Sequence, residues 1–175
     1  EDGAYTNIAL NQYLRGSRLS DLDRRLATEL VYGTVKASGT LDWYLAQCVS
    51  RPLDKVAGDI LAILRISTYQ LLYMTRIPAS AAVNEAVKLA RSVSHEGSAK
   101  FVNGVLRGLL RKQEAGAFVL PDAEKQDADY LSLKYYHPRW LVKRWLGPWG
   151  RGGTERLLAF DNTAAPVCLR ANTLV

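Results

Sequence analysis

The stretch AKFVNGVLRGLLRK, residues 99–112, sets Lys100, Asn103, Arg107 and Arg111 three, four and four positions apart, with Lys112 beside the last of them. On a helix that spacing gathers the first four along one face. The group holds cations and an amide and no carboxylate, so it can grip phosphate oxygens but has no general base or nucleophile of its own. Solvated helical faces ordinarily mix signs to gain i to i+4 pairing, and four like charges without an acid repel one another unless something anionic lies over them. Arg24 and Arg25, which an earlier helix should leave outside its buried face, are the expected additions to this surface.

Other residues that could do chemistry lead less far. WGRGGT offers Gly150, Gly152 and Gly153, but Glu155 stands where a GxGxxG phosphate loop needs glycine and no strand pattern precedes it. Cys48 and Cys168 lie far apart in apolar contexts, with no CxxC and only two histidines, and are expected to be small core residues rather than zinc ligands or a disulfide. His95, in a turn, and His137, before proline, occupy capping positions. Arg65 and Glu85 are each the odd charge on an apolar helix, which predicts a part-buried pair between them. Asn84 is a polar residue on an otherwise apolar helix, and Asn103 suits helix packing more than base reading. Trp140, Trp145 and Trp149, at spacings of five and four, suit the apolar side of a docking helix more than a base-stacking platform.

The elements that must position these residues read as helices throughout. Residues 4–14 form a short one. Ser20 with Asp23 has the capping-box spacing and starts a helix over 21–36, whose expected buried stripe is Leu22, Leu26, Leu30 and Gly33. A break at SGT, residues 38–40, precedes a third helix in LDWYLAQCV. The next segment, KVAGDILAILRISTYQLLYM, is apolar nearly all round and should be the central helix. AAVNEAVKLARSV, the SHEG turn and the helix of residues 99–112 follow. The acidic stretch 113–133 reads as a linker between two basic islands, residues 100–112 and 134–151. Beyond it come an aromatic, basic helix in HPRWLVKRWLGPWG, a further helix in RGGTERLLAFDN, and alternation over 165–175 that reads as the first strand of a domain beyond this chain. The fold class is all-α, divided as 1–112, 113–133 and 134–175.

With 48% hydrophobic and 23% charged residues the 175-residue chain is globular in composition. Its net charge of +6 falls mostly after residue 100. No run of eighteen apolar residues occurs and the first residues, EDGAY, are no signal peptide, so a cytoplasmic protein without membrane or metal partners is expected.

DRRLATELVYGTV, AILRISTYQLLYM, IPASAAVNEAVKLA and KFVNGVLRGLLR, in this order, resemble the NusB fold, the helical RNA-binding module of the transcription antitermination factor. YYHPRWLVKRW and LLAFDNTAAPVCLRANT are similar to the connecting segment of RsmB (Sun/Fmu) rRNA cytosine-C5 methyltransferases. That resemblance implies rRNA as partner, through Arg24, Arg25, Lys100, Arg107, Arg111 and Lys112. It also implies a catalytic domain in cis that binds S-adenosylmethionine, while this stretch has no catalytic or cofactor-binding residue. Two rivals remain at this point: a stand-alone antitermination factor that binds RNA and a ribosomal protein, and a protein-docking bundle whose basic islands contact its own further domain.

Overall fold

The structure, a computed structural model, describes residues 4–163 and 168–171. Among them there are seven α-helices and no strand: α1 (Thr6–Arg15), α2 (Asp21–Ala46), α3 (Gly58–Tyr73), α4 (Ala79–Val93), α5 (Glu96–Glu114), α6 (Asp127–Tyr135) and α7 (Arg139–Asp161), with a 3-10 turn at Leu53–Lys55. They form two compact units, one up to Pro121 and one from Asp122 onward.

In the first unit α3 is the hub, packed against α2, α4 and α5, as its all-round apolar sequence predicts. Leu45, Leu64, Val102 and Leu106 are fully buried in its core, each contributing on the order of 2 kcal/mol of burial free energy. Ser20 caps α2 as read: its Oγ accepts from the Asp23 amide at 3.2 Å and donates to the Asp23 carboxylate at 2.7 Å. His95 caps α5, its ring accepting from the Ser98 amide. The far end of α5 closes through Gly116, at φ 60°, with the Ala117 amide donating to the Lys112 carbonyl and the Gly116 amide to that of Gln113.

The expected break at residues 38–40 is absent. Thr34, Ala37, Thr40, Leu41 and Leu45 run as one buried stripe along a continuous α2, so packing overrides the weak helix propensity of Ser38, Gly39 and Thr40. The stripe expected over Leu22 and Leu26 is likewise displaced, those residues being 75% and 40% exposed. Gly33 is closely covered: a Cβ there would lie 2.1 Å from the Tyr69 ring. Asp42, on the same helix, takes Arg65 from α3 through two bonds of 2.7 Å. Glu85 is exposed and pairs with Lys88, so the predicted Arg65–Glu85 pair does not form.

The second unit is a smaller pair. Leu131, Val142 and Leu158 make its buried centre, flanked by Trp145 and Leu146. Tyr136, left-handed at φ 61°, turns α6 toward α7, and Ser132 Oγ holds that turn by donating to the His137 carbonyl at 2.6 Å. The cap of α7 is Pro138 rather than His137, whose ring lies 2.5 Å from the Tyr135 carbonyl. Gly150 interrupts α7 at φ 59° and ψ −179°, a conformation reserved for glycine, which leaves the two helical halves read from the sequence. Residues 168–171 carry neither helix nor strand and Cys168 is exposed, against its expected core position, while Cys48 packs on the core of the first unit. The remainder of the strand expected over 165–175 lies outside the described residues.

Candidate nucleic-acid interface

The apolar half of α5, Val102, Val105, Leu106 and Leu109, is buried against α3 and α4, and this sets where the polar half points. Lys100, Asn103 and Arg107 thereby line a groove of about 430 Å³ between α4 and α5. Val83 and Val87 of α4 supply apolar wall, and Ser80, Asn84 and Arg91 line it from the same helix, in a row with Val87 at spacings of four, three and four. Asn84 was legible only as a polar residue on an apolar helix. Its membership of a Ser80–Asn84–Val87–Arg91 row is the signal that sequence reading passed over.

Charge in this groove is unevenly spent. Arg91 is bound to Glu96 at 2.7 and 3.2 Å, and that hydrogen-bonded pairing, with help from Lys100, holds the Glu96 carboxyl below its ordinary range. Lys100 and Arg107 are exposed. Arg107 Nε donates to Asn103 Oδ1 at 2.9 Å, which assigns the amide oxygen to that bond. Arg111, also exposed, lies a turn further along α5.

Two of the six cations expected at the surface have other work. Arg24 donates to the carbonyls of Leu14, Ser17 and Leu19 at 2.9, 2.9 and 3.1 Å, tying together the turn between α1 and α2. Lys112 reaches the Gln47 carbonyl at the end of α2. Arg25 is exposed.

The second basic island is largely neutralised within its own unit. Lys134 meets Glu155 at 2.8 Å, Arg139 meets Asp129, and Arg151 meets Asp127 at 3.0 Å and the Ala123 carbonyl at 2.6 Å. Acids of the supposed linker, part of which is α6, are therefore partners of that island. Trp145 is packed and stacks on Trp149, with ring centroids 6.4 Å apart and planes 12° apart, while Trp140 and Trp149 are exposed. The glycine trio lies within α7, helix on both sides, and makes no strand-to-helix loop that would suit S-adenosylmethionine. Among the described residues no cluster of His, Cys, Asp or Glu is placed to hold a metal ion, and no helix is long and apolar enough to cross a membrane.

The stretch from Glu1 to Arg111, which holds α1 to α4 and nearly all of α5, is matched by the NusB family. The chain belongs to the NusB family. The NusB domain is followed, over residues 137–175, by a match to the "Methyltr_RsmF/B-like, ferredoxin-like domain". The relatives it matches are longer proteins. The chain is 40% identical over 171 residues to a probable ribosomal RNA small subunit methyltransferase B of Synechocystis sp., covering 98% of this chain and 37% of that protein. It is 35% identical over 174 residues to the protein of the same name in Bacillus subtilis, covering 99% and 38%. A ribosomal RNA small subunit methyltransferase B of Sodalis glossinidius is 36% identical over 156 residues. The NusB chain thus spans under two fifths of the length of the relatives it matches.

Proposed function

We propose that this chain is the RNA-binding part of an S-adenosylmethionine-dependent rRNA (cytosine-C5) methyltransferase of the cytoplasm, and that it positions small-subunit rRNA for a catalytic domain of the same polypeptide. The observation that carries the reading is the joining of a NusB domain to an RsmF/B-like segment in one chain. That joining favours the methyltransferase over a stand-alone antitermination factor. Lys100, Arg107 and Arg111 are the phosphate contacts supported by their exposure, and Arg25 is an added one. The contribution of this part is affinity and register.

Titration of labelled small-subunit rRNA fragments at several salt concentrations tests this. Four contacts at about −0.7 each give a slope of log affinity on log salt of roughly −3. Arg107→Gln with Arg111→Gln should weaken all RNAs alike and flatten the slope by roughly one unit or more, with the helical signal unchanged because the buried face is untouched. Unchanged affinity and slope in the folded double variant would overturn the assignment.

A further inference from the structure

We infer that an aromatic row along α7 is the docking face for a β-sheet built by the polypeptide that continues beyond residue 175. The inference rests on the reading above, in which this chain is one part of a longer methyltransferase, and it says which surface of that part the rest of the protein covers.

The row starts in the small core of the second unit and runs out of it. Trp145 packs against the cluster of Leu131, Val142 and Leu158, and Trp149 stacks on Trp145 with planes 12° apart. Past the interruption at Gly150, Trp149 lies against Gly153, where an added Cβ would come within 3.0 Å of the Trp149 Cβ. Leu157 and Phe160 carry the line on at spacings of four and three. Trp149 is 54% exposed and Phe160 67%. Single exposed aromatics are ordinary, but a row of them leaving a core this small is a face without its second layer. Trp140 is the contrast. Nine residues before Trp149, and so on the opposite side of that half of α7, it stands with exposed Lys143 and Arg144 three and four positions on, a solvated face.

Three observations say what covers the row. Residues 137–175 match a ferredoxin-like domain, an architecture whose helices lie on one face of an antiparallel sheet, whereas the described residues of that stretch hold α7 and no strand. The row reaches the last turn of α7, from which the chain passes on toward residue 175. The relatives match 98% and 99% of this chain, which covers 37% and 38% of their length, so proteins of that kind have the polypeptide to build the sheet. Trp149, Leu157 and Phe160 are the wide, uncharged side chains that a helix-on-sheet layer buries.

Hydroxyl-radical footprinting read by mass spectrometry compares residues 1–175 with the longer polypeptide. Oxidation of Trp149 and Phe160 should fall about fivefold or more in the longer protein, as for side chains entering the core of an interface, while Trp140 is oxidised equally in both. Phe160→Ser should leave the melting of residues 1–175 unchanged and raise Trp149 oxidation in the longer protein toward its level in the shorter one, with circular dichroism checking that each variant is folded. Equal oxidation of Trp149 and Phe160 in the two forms, in a longer protein that methylates cytosine in rRNA, overturns the docking face and leaves the functional reading standing. Protection that rises with the concentration of residues 1–175 puts a second copy on the row and also overturns it. A longer protein that protects the row but has no such activity upholds the docking face and overturns the functional reading. A reading frame that stops at Val175 overturns both.

Discussion

Arg65 and Asp42 are each about one-third exposed and meet through two parallel bonds, an arrangement between the weak surface pair and the costly buried one. Arg65→Met should therefore destabilise by about 2 kcal/mol in urea titration, mostly through the carboxylate left without its partner, and adding Asp42→Asn should recover part of that loss. Glu85→Gln should change stability by no more than about 0.5 kcal/mol, since it is exposed and pairs with exposed Lys88. That Arg65 needed an acid was legible in an apolar helix. Which acid was not, because the choice depends on which face of α3 each neighbour covers. The same holds for the cations. Lys100, Arg107 and Arg111 differ from Arg24 and Lys112 in nothing a sequence displays, and the division comes from carbonyls at the ends of α1 and α2 that lie within reach.

At the scale of elements, α2 shows where local signals mislead. Ser38-Gly39-Thr40 reads as a break, yet Thr40 is buried and Gly39 lies exposed in mid-helix with open space where its Cβ would be. Gly39→Ala should stabilise by about 0.5–1 kcal/mol through helix propensity and a less flexible unfolded chain. Gly33→Ala, one and a half turns earlier, should cost about 1–3 kcal/mol because the Tyr69 ring must move aside. Thermal melts of the two variants, moving in opposite directions, check both. Boundaries set by caps were legible: Ser20 with Asp23 starts α2 where expected, and the acid-free run of residues 100–112 lies wholly within α5. The phase of the stripe on α2 was not, since α3 packs on its later half, whereas the leucines of the earlier half had suggested the opposite.

Across the whole molecule, two cores of unequal size imply unequal stability, with Leu131, Val142 and Leu158 the buried apolar centre of the second unit among the described residues. That unit leans on ion pairs between α6 and α7. The Arg139 guanidinium holds the Asp129 carboxyl below its ordinary range, and Lys134, then Tyr135, do the same for Glu155. Stability from such depressed carboxyls is complete above their unfolded pKa and is lost as pH falls through the folded values, so the loss runs from about pH 4 downward. The raised pKa of Lys134 matters only at the alkaline end. Near pH 3 the second unit should unfold at lower urea than at neutrality. Tryptophan emission, three of whose four sources are Trp140, Trp145 and Trp149, should shift before the far-ultraviolet ellipticity carried chiefly by α2 to α5. The segment joining the units has a consequence of another kind. Lys125 belongs to neither α5 nor α6, its side chain is 85% exposed, and it follows the boundary at Pro121 by only a few residues. Brief digestion with trypsin should cut there before it reaches the arginines held in helices, and should release a fragment ending at Lys125 that keeps the whole first core and still melts cooperatively, as mass spectrometry and calorimetry of the purified product would show.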